Sequence, residues 1–368
     1  MKEIEKIFLE LIRVSVGRAD RLSRTPSTAE WEQLLQMAID QTIAAVLLEG
    51  ANRLPREQMP PKQVVINWHA MSEKIAADNV RLNHDTVWVA DRWKRLGYRN
   101  VILKGQGNAQ LYPKPLTRAA GDVDIWLDGD RDQIVDYVLK RFPSLEVTRV
   151  EMEFPVRKDT AIELHFMPSF LYNPFTNRRL QRYYAEQLRT TEAVHLPDGD
   201  IEVPNRKMNL VFQLTHIYRH LFSEGIGLRQ LMDYYYLLEH KNMEDTQEQT
   251  EVMEVVASIG LRHFSAALMW VLGEVFAMPR EHMLTPPDER HGRFLLSEVL
   301  QAGNFGHADS RTPHYDSLSR WQRFLWGSKW VMRLLPYYPS EVLWHPWYRI
   351  TQYIWRRRHG YLGSRRER

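Results

Sequence analysis

The order in which the hydrophobic pattern changes is the feature that most constrains the fold of this 368-residue chain. Apolar residues recur at helical spacing in the N-terminal part, for example at Ile4, Ile7 and Leu11. From about Gly97 to Pro204, short apolar runs of strand length alternate with polar turns, and helical spacing then returns. Because strands and helices are segregated along the chain, the sequence predicts an α+β fold, in which a small mixed β-sheet is flanked by N-terminal and C-terminal helical regions.

The same change of pattern divides the chain into four predicted regions. Residues 1–96 are an N-terminal helical region, 97–205 an α/β core, 206–335 a C-terminal helical domain and 336–368 a basic aromatic tail. Within the core, strands are predicted at residues 101–103, 123–127, 147–156 and 161–166.

The composition excludes several classes of protein and of site. The chain has no cysteine, which excludes disulfides, thiolate-bound zinc, iron–sulfur clusters and a cysteine nucleophile. The N-terminal residues mix Glu and Lys with apolar side chains, unlike a secretory signal, and no apolar run is long enough to predict a membrane span. We therefore expect a cytoplasmic protein.

The net charge of +3 hides an uneven distribution. Residues 320–368 carry 11 Lys or Arg against 2 Asp or Glu, and 6 of the 12 tryptophans lie between Trp321 and Trp355. Such a segment could bind nucleic acid through arginines and stacked bases, or lie on an anionic membrane. We favour a third interpretation, in which its aromatic residues pack against the body of the protein and its arginines face water or the acidic body.

Two aspartates separated by one residue fall at the start of a predicted strand. Asp122 and Asp124 point to the same face there, and their like charges repel unless a cation lies between them. Glu163 lies on a later predicted strand and joins the cluster if the two strands pair. Three convergent carboxylates can hold two divalent ions about 3.5–4 Å apart, which is the geometry for in-line phosphoryl displacement.

A glycine-containing loop precedes the two aspartates. Lys104 ends the first predicted strand and is followed by Gly105, Gln106 and Gly107. Glycines let backbone N–H groups approach phosphate oxygens, and a helix that starts after the loop presents its positive end to them. Lys104 and Arg118 are the nearest cations and could contact a phosphate, although an ion pair with one of the two aspartates explains Arg118 equally well.

Together these motifs resemble the core of the polymerase-β-like nucleotidyltransferase superfamily, and most closely the uncharacterised bacterial nucleotidyltransferases. Glu163 matches the third acidic position of that family, in an acid-Leu-His strand, whereas Gln106 stands where the superfamily commonly has Gly or Ser. The likeness spans about residues 97–340 and rests on Leu103-Lys104-Gly105, Leu111-Tyr112-Pro113, Arg118, Asp122-Val123-Asp124-Ile125, and a downstream Gly225-Ile226-Gly227-Leu228-Arg229-Gln230 with Asp233.

The resemblance implies an enzyme that uses Mg²⁺, or Mn²⁺ in its place, to transfer a nucleoside monophosphate from an NTP, ATP being the expected one, to an unidentified acceptor by a two-metal mechanism. The catalytic and metal-binding residues that it implies are Asp122, Asp124 and Glu163. The nucleotide-binding residues are Lys104, Gly105, Gln106, Gly107 and Arg118. The alternative is a non-catalytic or regulatory protein with the same fold, as in toxin–antitoxin systems.

Three histidines lie near these motifs or on a predicted helix. His165 follows Glu163 by two residues and shares its strand face, so it either neighbours the metal site or is a buried histidine satisfied by hydrogen bonds. His216 and His220 have the i, i+4 spacing that zinc can use, but no third ligand is evident, and we expect helix-face histidines without metal.

Overall fold

A computed structural model describes residues 2–119, 121–223, 225–240, 246–302 and 331–361, together with 319, 327 and 329. The chain forms two compact units, each assembled from separate stretches. The first unit comprises Met1–Val80, Asn108–Ala120 and His220–Phe324, and the second comprises Arg81–Gly107, Gly121–Arg219 and Leu325–Arg368. The four regions that we defined from the sequence pattern stay a prediction.

Helices supply most of the described structure. In chain order they are α1 (Glu3–Ser15), α2 (Thr28–Asp40), α3 (Ala44–Ala51), α4 (Lys62–Arg95), α5 (Gln106–Ala109), α6 (Arg131–Leu139), α7 (Pro174–Gln187), α8 (Arg206–Phe222), α9 (Leu228–Glu239), α10 (Thr246–Ser258), α11 (Arg262–Phe276), α12 (Glu289–Ala302) and α13 (Pro339–Arg358). Within the described residues, no helix is both long enough and apolar enough to cross a membrane.

The first unit is helical, and its core lies where α1 packs on α3 and α11 and where α11 packs on α12. Trp31 and Trp68 meet edge to face in this unit, with ring centroids 6.3 Å apart. The Trp68 indole N–H donates to the Ala44 carbonyl at 2.7 Å, which satisfies its polar atom inside the core. Helix α2 begins with a capping box in which Ser27 accepts from the Glu30 N–H.

The second unit contains a four-stranded sheet in the order β1-β2-β4-β3. The strands are β1 (Arg99–Ile102), β2 (Val123–Asp128), β3 (Glu151–Glu153) and β4 (Ile162–His165). β1 pairs antiparallel with β2, β2 pairs parallel with β4, and β3 pairs antiparallel with β4. The predicted small mixed sheet with flanking helices is thus confirmed. A separate hairpin, β5 (Glu192–Leu196) with β6 (Gly199–Val203), was not predicted.

The central strand β2 is buried along nearly its whole length. Its residues from Val123 to Leu127 are all buried, which explains why the strand is almost continuously apolar. Asp124 is the exception, because it places a carboxylate that is 1% exposed in the middle of the sheet. A buried charge needs charged or hydrogen-bonding partners, and those partners define the candidate site.

Candidate active site

The parallel pairing of β2 and β4 brings together carboxylates that are far apart in sequence. In the register of these strands, Asp124 is the Cα partner of Glu163, so the two side chains lie on the same face of the sheet. His165 lies two residues further along β4 on that face. One ligand atom from each of Asp124, Glu163 and His165 lies within 4.8 Å of the others.

The Lys104 ammonium group lies close to both Asp122 and Asp124. Lys104 is the second residue after β1, and the preceding Leu103 N–H donates to the Asp124 carbonyl at 3.0 Å, which holds this segment beside β2. The Lys104 Nζ lies 3.1 Å from Asp124 Oδ2 and 3.9 Å from Asp122 Oδ2. Burial alone would lower the pKa of Lys104, but the charges of Asp122, Asp124 and Glu163 outweigh it and raise the pKa.

His165 is the second cation at the carboxylates. Its Nε2 lies 2.9 Å from Asp124 Oδ1 and 3.7 Å from Glu163 Oε2, and its Nδ1 lies 3.7 Å from Glu151 Oε2 on the neighbouring strand. Burial disfavours the charged imidazole, but the hydrogen bonds to Asp124 and Glu163 prevail and raise the pKa of His165 to about 10. Of the two roles that the sequence left open for His165, the structure places it directly at the carboxylates.

The carboxyl groups of this site are not equivalent. Burial opposes ionisation of Asp124, yet Lys104 and His165 hold its pKa well below the usual range. For Glu163, the hydrogen bond with His165 favours ionisation, but burial and the charges of Asp124 and Asp122 outweigh it and raise the pKa. The site therefore combines a firmly ionised Asp124 with a Glu163 that binds a proton more readily than an ordinary glutamate.

Backbone conformation and packing both require glycine in the segment from Gly105 to Gly107. Gly105 has a φ of +61°, a left-handed conformation that side chains rarely adopt. A Cβ at Gly107 would lie 2.8 Å from Val203 of β6, so no larger residue fits there without rearrangement. The Gln106 side chain donates to Asn83 of α4. The helix α5 begins within this segment, at Gln106, and is only four residues long, so its dipole adds little to the attraction of phosphate.

His216 of α8 also lies at this site. Its Nε2 is 3.4 Å from Lys104 Nζ, although 112 residues separate the two in sequence. The helical spacing of His216 could not predict this contact. Among the described residues, the group suited to a metal ion is the one on β2 and β4 and includes no histidine of α8.

Arg118 belongs to the first unit and is held there by a buried network. Its Nε and Nη2 each donate to the Asp233 carboxylate at 2.8 Å, and the Tyr112 hydroxyl donates to the same carboxylate at 2.7 Å. Burial would raise the pKa of Asp233, but the Arg118 guanidinium outweighs it and lowers the pKa. Arg229 donates to the Ala119 carbonyl at 3.2 Å. The sequence predicted Asp122 or Asp124 as the ion-pair partner of Arg118, whereas the structure pairs it with Asp233. A phosphate contact of Arg118 stays a prediction.

The donor set suits a hard divalent cation. Asp124 and Glu163 of the converging group supply carboxylate oxygens, which are the ligands that Mg²⁺ and Mn²⁺ prefer. Asp122, the third predicted acid, is outside that group and lies 3.9 Å from the Lys104 Nζ. His165 donates to Asp124 and so fixes the orientation of that carboxylate, as hydrogen-bonding neighbours of metal ligands commonly do. The residues present therefore fit the metal that the family implies.

The site thus consists of acids on two adjacent strands of a small mixed sheet, next to a glycine loop. The sequence matches the family of uncharacterised nucleotidyltransferases over residues 27–277, and the chain belongs to that family. This confirms the resemblance found from the motifs. No curated protein matches significantly. One similar solved structure is that of an antigenic nucleotidyltransferase-like protein from Paracoccidioides brasiliensis, which is 16% identical, covers 51% of this chain and 91% of its own, and has a TM-score of 0.30.

Proposed function

We propose that this protein is a Mg²⁺-dependent nucleotidyltransferase that transfers a nucleoside monophosphate from an NTP, ATP being the expected donor, to a hydroxyl acceptor. The observation that carries the proposal is the alignment of Asp124 and Glu163 on adjacent parallel strands, with Lys104 beside Asp124. NTPs are abundant inside cells, so a cytoplasmic location is part of the proposal.

The proposed reaction is an in-line displacement at the α-phosphorus. The acceptor oxygen forms a bond to the α-phosphorus, the bond from that phosphorus to the bridging oxygen breaks, and pyrophosphate leaves. Glu163 takes the acceptor proton, because its pKa is raised and its side chain is 34% exposed, so that it can reach a substrate. Asp124 is too deeply buried and too strongly ionised for that role.

Asp122, Asp124 and Glu163 are the proposed metal-binding residues. Bound divalent ions would neutralise the phosphates and stabilise the negative charge that develops during transfer. In the two-metal mechanism that the family resemblance implies, three carboxylates share two ions. Lys104 would then have to move its ammonium group away from Asp122 and Asp124, and the triphosphate is the natural new partner for it.

The glycine loop is the proposed phosphate-binding segment. Gly105 connects Lys104 to the single turn of α5, which begins with Gln106 and Gly107. Gly105 is in a left-handed conformation, and a Cβ there would lie 3.4 Å from the Asp122 carbonyl oxygen. The close approach of Gly107 to Val203 shows that glycine there also serves packing. A glycine variant could therefore lose phosphate binding simply because it misfolds. Its affinity for NTP must be measured on the folded protein only.

One observation favours a non-catalytic nucleotidyltransferase-fold protein as a second candidate. Lys104 and His165 already pair with the carboxylates, so the fold can hold its acid cluster without a metal. A regulatory or toxin–antitoxin-like protein that kept the fold and lost turnover would need only these ion pairs to hold its acidic residues together.

The two candidates differ in nucleotide binding and turnover. We would measure thermal unfolding with each NTP in the presence of Mg²⁺ or Mn²⁺, and the release of pyrophosphate with candidate hydroxyl acceptors. The enzyme should be stabilised by at least one NTP with metal, and Asp124→Asn and Glu163→Gln should lose turnover. Asp128→Asn is the matched control, because Asp128 is an exposed acid at the end of the same strand.

Stabilisation by NTP and metal without turnover, for the wild type and across acceptors, would favour the regulatory candidate. The absence of stabilisation by every NTP with either metal would contradict the nucleotidyltransferase proposal.

A further inference from the structure

Helix α13 is attached to the second unit by one of its faces. Glu341 in its first turn accepts from the backbone N–H groups of Tyr172 and Asn173. The Tyr348 ring stacks on Phe170, with centroids 4.9 Å apart. Near its C-terminal end, Trp355 is buried, the Arg131 guanidinium lies 4.7 Å from its ring centroid, and Arg356 pairs with Glu146 at 2.7 Å. These contacts agree with the packing that we favoured for the aromatic tail, for this face of the helix.

The opposite face of α13 exposes an apolar stripe. Leu343 is 70% exposed, Trp347 and Ile350 are each 54% exposed, and Ile354 is 43% exposed. Their spacing of four, three and four residues places them along a single line on the helix surface. Phe175, which is 67% exposed and meets Trp344 edge to face at 5.9 Å, widens the apolar surface. We call the four helix residues the outer stripe.

The exposed charged residues of α13 are arginines. Arg349, Arg357 and Arg358 are exposed, and the last two lie on the same side as the stripe at its C-terminal end. The helix contains one acidic residue, Glu341, and that side chain is buried on the inner face. The sequence beyond Tyr361 adds three more arginines and one glutamate. The outer face of α13 therefore offers apolar contact together with positive charge.

We propose that the outer face of α13 docks on an anionic lipid bilayer. The aliphatic and tryptophan side chains of the outer stripe would enter the boundary between headgroups and acyl chains, and the arginines would contact lipid phosphates. Basic amphipathic helices with tryptophan bind membranes in this way, without spanning them. The proposal is independent of nucleotidyl transfer.

Charge and chemistry argue against two other occupants. A second copy of the helix would bring arginines to arginines, with no exposed acid on either helix to compensate. A nucleic acid would be matched by arginines and stacked rings, but three of the four stripe residues are aliphatic and have no ring on which a base could stack. An anionic bilayer offers acyl chains to the apolar outer stripe and lipid phosphates to the arginines beside it.

The test is flotation of the full chain with vesicles of phosphatidylcholine alone or mixed with phosphatidylglycerol. We expect binding to the mixed vesicles that weakens with salt, and little binding to phosphatidylcholine alone. The variant Arg357→Gln with Arg358→Gln should bind about thirtyfold more weakly, because each basic side chain near an anionic surface contributes about 1 kcal/mol. Leu343→Ser with Ile350→Ser should lose at least as much.

The matched control is Ile66→Ser on α4, because Ile66 is 51% exposed and belongs to the first unit. It should bind like the wild type, and circular dichroism should show that all variants stay folded, since every substituted side chain is exposed. Failure of the wild type to float with phosphatidylglycerol vesicles would overturn the proposal. So would equal binding of the outer-stripe variant, a dimer that dissociates when the stripe is changed, or binding of single-stranded RNA in place of vesicles.

Discussion

Replacing Lys104 by methionine removes one charge from the centre of the candidate site and nearly keeps the volume of the side chain. In the metal-free protein, the ammonium lies 3.1 Å from a carboxylate of Asp124 that is almost fully buried. The Lys104 side chain is itself only 16% exposed, so solvent screens this pair weakly. The variant leaves Asp122 and Asp124 without their shared cation, while His165 remains.

The magnitude follows from the geometry. Two unit charges about 3 Å apart attract by roughly 5 kcal/mol at an effective dielectric constant of about 20, and removal of one partner from a buried pair typically costs about 3–5 kcal/mol. We therefore expect the free energy of unfolding of Lys104→Met to fall by about 3–5 kcal/mol in a chelator. A divalent ion can replace the lost charge. If it recovers about 1.4 kcal/mol of that loss, the affinity for the ion rises about tenfold.

Two measurements check this prediction. Urea unfolding in EDTA gives the stability change, and a Mn²⁺ titration followed by electron paramagnetic resonance gives the affinity of the ion. Lys140→Met is the control, because Lys140 is an exposed lysine of the same unit. A stability change below about 1 kcal/mol, together with an unchanged Mn²⁺ affinity, would refute the view that Lys104 neutralises this site.

Three further changes test other parts of the structure. Arg118→Met leaves the buried Asp233 without its bidentate partner and should cost about 3–5 kcal/mol in urea unfolding, and calorimetry with ATP on the folded variant decides whether Arg118 also binds phosphate. Gly107→Val crowds Val203 and should cost about 1–3 kcal/mol by the same assay. Burial raises the pKa of Glu341 to about 7, so the folded state binds this proton more tightly than the unfolded state does. Stability should therefore fall by up to about 3 kcal/mol as the pH rises from about 4.5 to about 7, and Glu341→Gln should flatten that part of a pH series of unfolding curves.

The sheet could be predicted because its strands obey simple local rules. Short apolar runs between polar turns predicted that Asp124 and Glu163 lie on strands. The pairing of those strands then aligned the two carboxylates in register. The hairpin of β5 and β6 escaped prediction even though its sequence carries a signal. The turn residues Pro197 and Asp198 are followed by Gly199 at the start of β6, and an Asp-Gly dipeptide beside alternating segments is a strong indicator of a hairpin.

Contacts between side chains that are distant in sequence could not be predicted from local sequence patterns. Nothing in the spacing of Arg118 selects Asp233 as its partner over Asp122 or Asp124, because that choice depends on which segments the fold brings together. The contact of His216 with Lys104 has the same origin. Sequence patterns identify chemical types and strand faces, whereas the pairing of buried charges is decided by tertiary packing.

The arrangement of charges explains how an acid cluster can persist inside a folded sheet. Four carboxyl groups, those of Asp122, Asp124, Glu151 and Glu163, lie around Lys104 and His165, and the two cations offset part of the repulsion. The two cations do not offset all of the negative charge. Burial and the neighbouring acids still raise the pKa of Glu163 above its usual value. An added divalent cation would relieve that remaining repulsion, and this excess of acid over resident cation is the physical basis of the metal site that we propose.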